Sequence, residues 1–346
     1  MVRILYGIAG EGMGHAVRSR VVIEHLRKKN KIKVVASEKS YSYLKRYFDA
    51  EEIDYFKIIY GNNKVTYVLT FFNNLLRLPT IVAKVWKILN IIKDFKPNII
   101  ITDFEPFVDY FAFFKHIPVI SIDNQHIITN AYHKDLPRKY WFNSLIIKLI
   151  IKLFIIKSNK CFIGTFYNCK IKDKNSILIK PLLIKEILNA KITNKNHILV
   201  YQTSKSNRKL IEELKKINER FIVYGFGKNK SLGNVIFKNT NEKEFLKDLA
   251  SCKAVITNGG FTLISEALYL KKPILSIPVK GQFEQILNAI YLERLGYGMF
   301  AEKTKKELIE KFISNIPHFR KKLKGYKKYN SNRAIMEIND AIKNLV

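Results

Sequence analysis

Short β-prone apolar runs and longer amphipathic stretches alternate along the first half of the chain. Arg3–Ile8 is a continuous apolar run closed by glycines, and residues 16–28 then repeat apolar positions at helical spacing. Residues 31–36, 98–102 and 118–122 share the strand-like character of the first run. Over residues 181–196 the pattern loosens, as in a linker between domains. It resumes with strand-like runs at 197–202, Phe221–Tyr224, Ala254–Thr257 and 273–277. Strands interleaved with helices predict βαβ units and parallel sheets. Two such blocks in series predict an α/β chain of two doubly wound, Rossmann-like domains with a cleft between them. No repeat of solenoid period and no low-complexity tract interrupts the pattern.

Two helical segments stand out. From Pro79, which suits a first helical position, Thr80, Lys84, Lys87 and Asp94 mark a polar face. Ile81, Val82, Val85, Trp86, Ile88, Leu89 and Ile92 mark the other, and Phe71, Phe72, Leu75, Leu76 and Leu78 precede them. Residues 141–157 are more apolar, with Ser144, Lys148 and Lys152 as a thin polar stripe at i, i+4 spacing. No uninterrupted apolar run reaches the roughly 18–20 residues that span a bilayer. Two readings stay open for both segments: core helices with snorkelling lysines, or basic amphipathic helices lying in a membrane interface.

Charge shifts the balance between them. The chain has 346 residues, a length that favours two domains, and carries a formal net charge of +32. The excess is spread: 31 basic and 14 acidic side chains in residues 1–185, against 30 and 15 in the rest. Lysine greatly outnumbers arginine, and no zinc finger, aromatic RNA-binding signature or basic zipper is present, so a nucleic-acid partner is disfavoured. Residues 134–180, around the second helix, hold 11 basic and two acidic side chains. An anionic membrane surface is therefore the expected partner. Part of the lysine excess also fits a composition inherited from an AT-rich genome. Cys161, Cys169 and Cys252 are odd in number and not at metal-ligand spacing, which disfavours a disulfide scaffold or zinc module and suits a reducing cytoplasm. The opening segment lacks the layout of a cleaved signal peptide.

Candidate chemistry gathers where strands end. Gly7, Gly10, Gly12 and Gly14, then His15, lie between the first strand and the first helix, where free helix N–H groups suit an anion. A dinucleotide fingerprint, with Glu38 as the ribose acid, would need a third glycine where His15 stands. The alternative is His15 as a general base. Asp103 and Glu105 follow a strand end and are expected to face the ligand crevice, Asp103 orienting a histidine ring; a helix N-cap is the bland alternative. Asn124, Gln125 and His126 form another polar cluster, after Asp123. In the second half, Gly259 and Gly260 precede a helix bearing Thr262 and, one turn on, Glu266. Glycine amides at a helix start suit a diphosphate, and a carboxylate one turn along can accept two ribose hydroxyls. Gln282, Glu284 and Gln285 suit sugar hydroxyls, while Thr203 and Ser204 could add donors to phosphates.

The succession G-G-x-x-T-x-x-E-A, P-x-x-x-x-P, Q-x-x-N-A and G-x-G resembles the GT-B glycosyltransferases. The nearest likeness is to the MurG-type (glycosyltransferase family 28) and UDP-glucuronosyltransferase-like branch. The resemblance covers the whole chain. It implies two Rossmann-like domains: residues 1–185 for a membrane-facing acceptor side, and 186–328 for the nucleotide sugar. Residues 329–346 would form a C-terminal helix packing back on the first. By the same resemblance Gly259, Gly260 and Thr262 bind diphosphate, Glu266 the ribose, and Glu284 and Gln285 the donor sugar. Gly10, Gly12, Gly14, Glu105, Asn124, Gln125 and His126 fall to the acceptor side or its loops. The loop departs from the pattern, reading GEGMGH where those enzymes usually read GTGGH. The expected activity is inverting, metal-independent transfer of a hexose-type sugar from a nucleotide diphosphate, expected to be UDP, with no cofactor. The expected acceptor is a glycan or a lipid-linked molecule, reached from the cytoplasmic face of the membrane. His15, supported by Asp103, would deprotonate it. A nucleotide-sugar 2-epimerase of the same fold is the first alternative. A non-catalytic basic membrane- or nucleic-acid-binding protein is the second.

Overall fold

In the computed structural model of the chain the described residues are 1–53, 57, 59–61, 63–156, 158–203, 207–239 and 241–346, without the side chains of Tyr67, Phe71 and Lys84. They form two units, each described by itself. Met1–Ile59, Tyr67–Ile184 and Asn330–Val346 make the first; Tyr60–Thr66 and Lys185–Tyr329 make the second.

β1 (Arg3–Ile8), α1 (Met13–Leu26), β2 (Lys31–Ser37), α2 (Glu38–Leu44) and β3 (Ala50–Ile53) open the first unit. The two-stranded ribbon of β4 (Tyr60–Gly61) and β5 (Lys64–Val65) goes with the second unit. The first unit resumes with α3 (Tyr67–Leu76), α4 (Leu78–Phe95), β6 (Ile99–Asp103), α5 (Pro106–Phe114), β7 (Val119–Asp123) and α6 (Ile127–Asn130). It continues through α7 (Trp141–Phe154), β8 (Lys160–Gly164) and β9 (Ser176–Ile179). Its sheet runs β3-β2-β1-β6-β7-β8-β9, all neighbours parallel. Strand alternation sends Ile4, Tyr6 and Ile8 to one face and Leu5 to the other. The first face is packed by Ala16, Ile23 and Leu26 of α1, the second by Ile88 and Ile92 of α4 and Val108 of α5.

The second unit contains α8 (Lys185–Leu188), β10 (Ile198–Tyr201), α9 (Arg208–Lys215), β11 (Phe221–Tyr224), β12 (Lys230–Leu232), β13 (Val235–Phe237), α10 (Glu242–Ser251) and β14 (Ala254–Thr257). α11 (Phe261–Tyr269), β15 (Ile274–Ser276), α12 (Phe283–Arg294), β16 (Gly298–Phe300), α13 (Lys306–Ser314) and α14 (Ile316–Lys324) complete it. Its sheet runs β12-β13-β11-β10-β14-β15-β16, parallel except at β12. α15 (Asn332–Leu345) returns to the first unit, where Ala334, Ile335, Ile338, Ala341 and Ile342 join the core beside α1. In each sheet the order reverses about the first strand: between β1 and β6, and between β10 and β14. Such switch points are where open α/β sheets take ligands at their carboxyl ends.

Three readings need correction. The stretch 181–196 holds the boundary between the two units, after Ile184, but it is not loose throughout, since it carries α8 and buries Leu182, Leu183, Ile184 and Ile187. The first helix starts at Met13, so Gly14 and His15 lie in its first turn and not before it. On α7 the expected polar stripe does not face one way: Ser144 is buried and Lys152 exposed, while Trp141 is 68% and Leu153 is 64% exposed. Trp141, Leu145, Leu149 and Leu153, four apart along α7, all face outward. On α4, Ile81, Ile88 and Ile92 are buried whereas Val82 and Trp86 stay exposed. The apolar arc of both helices is wider than the unit covers. No helix among the described residues is long and apolar enough to cross a membrane.

Candidate functional site

At the first switch point β1 ends level with β6, Ile8 opposite Asp103. The chain leaves β1 through Gly10 and reaches α1 through Gly12, whose φ of 81° is the left-handed conformation that glycine adopts without strain. The tight entry puts His15 on the first turn of α1, close to the end of β6. His15 Nδ1 lies 2.7 Å from Asp103 Oδ1. Arg18, one turn further along α1, forks onto the same carboxylate through Nε (2.6 Å) and Nη2 (2.5 Å), and Ser19 Oγ donates at 3.0 Å. All four lone-pair directions of Asp103 are thereby occupied. Burial alone would raise this carboxyl, but the Arg18 guanidinium and the His15 ring bring it below its ordinary value.

β7, the next strand, ends in Asp123. Asn124 Nδ2 donates to the Gly164 carbonyl at 2.8 Å, tying this end to β8. Gln125 turns back toward the first cluster, its Nε2 3.5 Å from His15 Nε2. His126 forms a second dyad, with Nδ1 2.6 Å from Asp123 Oδ2. Burial works against charge on both, yet each holds the other ionised: Asp123 falls to about 2 and His126 rises well above the usual imidazole range. Cys161 of β8 joins this pair, with ligand atoms of all three within 4.8 Å. Ligands of one tetrahedral ion stand about 3.3 Å apart, given bonds near 2.0–2.1 Å, so a 2.6 Å separation is that of a shared proton. Sequence spacing gave no hint of this grouping, because β7 and β8 are paired only by the fold.

Glu105 is not aimed at the crevice. It caps α5, accepting from the Phe107 and Val108 amides at 3.2 and 2.8 Å, and is fully buried. Burial, against those two amides, pushes its carboxyl up to about 7. Arg18 was not singled out from sequence. Its position three residues after His15, on the same helix face, is the signal that could have found it.

At the second switch point Tyr201 of β10 lies opposite Thr257 of β14. Asn258 links the two loops: its Oδ1 accepts from the Thr203 amide (2.9 Å) and hydroxyl (3.3 Å), and its Nδ2 donates to Gln202 Oε1. Ser204 lies outside the described residues. Gly259 has φ 97°, and a Cβ there would stand 2.7 Å from Ser276 Oγ and 2.8 Å from the Gln285 carbonyl, so no other residue fits. Gly260 is the N-cap of α11, followed by Thr262 in the first turn. Glu266, one turn on, is buried, only 5% of it exposed. Burial first, then the charge of Glu242, pushes it up to about 8. Gln282 caps α12 and donates to the Tyr60 hydroxyl at 2.5 Å; Glu284 stands in the first turn of α12, half-buried. Gln285 Oε1 accepts from the Val279 amide at 2.9 Å, so it holds the loop after β15 in place.

The chain is 27% identical over 256 residues to an uncharacterized glycosyltransferase of Methanosarcina mazei, covering 66% of this chain and 67% of that one. It is 30% identical over 139 residues to UDP-N-acetylglucosamine--N-acetylmuramyl-(pentapeptide) pyrophosphoryl-undecaprenol N-acetylglucosamine transferase 3 of Bacillus cereus. That match covers 36% of this chain and spans only 39% of the relative's length. Among solved structures, the glycotransferase of kitacinnamycin superposes over 100% of this chain and 99% of its own, with TM-score 0.68 at 14% identity. The calicheamicin glycosyltransferase CalG4 does so over 98% of each, with TM-score 0.62 at 14% identity. These likenesses show the fold, two parallel-sheet units of the GT-B type. A model of glycosyl transferase family 1 matches residues 2–317, a span that takes in both switch points and nearly all of both sheets, and the chain belongs to that family.

Proposed function

We propose that the protein transfers a hexose-type sugar from a nucleoside diphosphate, uridine-linked, to a hydroxyl of a membrane-proximal or lipid-linked acceptor. The observation that carries this reading is Glu266, a buried carboxyl one turn past two glycines at a helix N-terminus. Burial disfavours the charge of a carboxylate, and two ribose hydroxyls donating to it offset that cost. With the ribose there, the diphosphate meets the Gly259 and Gly260 amides and Thr262 at the positive end of α11. Gln282, Glu284 and Gln285 are assigned to the donor sugar, and Thr203 to the phosphates.

On the acceptor side, His15 takes the hydroxyl proton on Nε2 while Asp103 orients the ring through Nδ1. The oxygen attacks the anomeric carbon, the bond to the diphosphate breaks, and the configuration inverts. Fixed amides receive the leaving charge in place of a metal ion. The uridine and the lipid-linked acceptor draw support from the name of the Bacillus relative. The 2-epimerase reading draws none from the relatives found.

The exposed apolar faces of α4 and α7 support attachment to the cytoplasmic face of an anionic membrane. Trp86 of α4 and Trp141 and Phe142 of α7 are more than half exposed, and the segment 134–180 around the latter two is strongly basic. The test is a panel of labelled nucleotide sugars incubated with a membrane extract. Label should move from one UDP-sugar into lipid-extractable product, Glu266→Ala should weaken donor binding, and His15→Ala should cut turnover on the order of a hundredfold with donor binding retained. Transfer to no acceptor, or full activity in both variants, would overturn the proposal.

A further inference from the structure

A base needs a bare nitrogen, and the surroundings of His15 allow two positions for the ring proton. Nδ1 is 2.7 Å from Asp103 Oδ1 and 2.8 Å from Arg18 Nη2. The carboxylate only accepts and the guanidinium only donates, so Nδ1 can serve one of them at a time. With a proton on Nδ1 it donates to Asp103 and leaves Nε2 bare. Without one it accepts from Arg18, the proton sits on Nε2, and the ring cannot act as a base.

Gln125 meets the opposite side of the ring. Its Oε1 accepts from Arg18 Nη2 at 3.4 Å and from the Asn124 amide at 3.2 Å. Turning the side-chain amide round would set its NH2 against two donors, so these contacts fix which end faces where. The NH2 end therefore lies toward His15 Nε2, at 3.5 Å. A donor in that place is compatible with a lone pair and opposed to an N–H. The same Arg18 that competes for Nδ1 is meanwhile pinned by both oxygens of Asp103 and by Gln125.

We propose that Gln125 is a positioning residue that selects the His15 tautomer with Nε2 unprotonated, and that Arg18 holds the Gln125 amide in the sense this requires. The inference rests on the reading of His15 as the base. At 3.5 Å the amide contact is long, so an acceptor hydroxyl can displace it and find the lone pair already exposed.

The test is ring-nitrogen NMR on full-length protein labelled with 15N-histidine, at a pH where the ring is neutral, with the His15 signals assigned by their loss in His15→Ala. The expected wild-type spectrum has a protonated Nδ1 and a bare Nε2. Gln125→Glu places an acceptor at Nε2 and should move the proton there. Gln125→Met keeps the volume without charge, frees Arg18 to donate to Nδ1, and should raise the share of the Nε2–H form. A wild-type ring carrying its proton on Nε2, or wild-type ring signals in both variants, would overturn the proposal. Ring signals as expected, with undiminished sugar transfer in His15→Ala, would instead remove the base reading and leave the tautomer assignment standing.

Discussion

Glu266 and His126 are both buried titratable side chains, and the fold treats them oppositely. His126 has Asp123 at 2.6 Å and is held charged. Glu266 is pushed up to about 8, so near neutrality it is mostly protonated. Ribose hydroxyls favour its ionised form, so donor binding should expel a proton. The sign follows: affinity for a UDP-sugar should rise with pH, by up to about tenfold per unit, and level off above about 8. Calorimetry in two buffers of different ionisation enthalpy reads the proton directly. Glu266→Ala should abolish the proton release and cost about 1.5–3 kcal/mol of binding. At this scale the sequence made His15 and Asp103 visible, because a polar residue at the end of an apolar run is conspicuous. Glu105 was equally conspicuous and proved to be a cap, because the residue after a strand is also the residue before a helix. Arg18 was invisible because its meaning depends on a carboxylate 85 residues away.

Along α7 the periodicity was readable but its direction was not. Ser144, Lys148 and Lys152 define an angle around the helix, and a polar stripe ordinarily faces water. The remaining arc is apolar almost all round, so the stripe was too thin to decide which side the sheet covers. The fold buries Ser144 and Ile151 and leaves Trp141, Leu145, Leu149 and Leu153 outside. Side chains already in water contribute little to folding, so Trp141→Ser with Leu149→Ser should leave the melting temperature within about 1–2 °C of wild type. The same double change should lower co-sedimentation with anionic vesicles about tenfold or more, since each buried side chain of this size is worth about 1.5–3 kcal/mol. Binding should also fade toward 1 M salt, where the Debye length shrinks to about 3 Å. Unchanged sedimentation across variant and salt would return both helices to a purely structural part.

For the molecule as a whole, the alternation of strands and helices was enough to predict two parallel-sheet blocks. It could not show that the first block is assembled from separated pieces of chain. The ribbon Tyr60–Thr66 gives no such signal: its β5 pairs with the loop after β15 through Lys280, a contact far away in sequence. α15 is amphipathic, which marks it as needing a core without saying which; only the family resemblance set it back on the first unit, where it lies. Removing residues 330–346 takes Ile335, Ile338 and Ile342 from beside α1 and β1, about 2–5 kcal/mol for each fully buried large side chain. That loss should unfold the first unit, exposing buried Tyr6 to solvent, while the second unit keeps its own cooperative melt. Differential scanning calorimetry, beside hydrogen exchange of β1 and β10, would separate the two; equal protection of both strands in the truncated chain would refute the assignment.

The return of α15 also sets an order on biosynthesis. The helix that closes the face packed by α1 is translated only after the whole of residues 185–329. At about 5–20 residues per second that stretch takes roughly 7 to 30 s, long against the folding time of most domains. The second unit can therefore finish while the nascent first sheet still shows an uncovered aliphatic surface to solvent. Any holding chaperone would meet the protein at that surface, and a ribosome stalled before residue 330 would present it indefinitely.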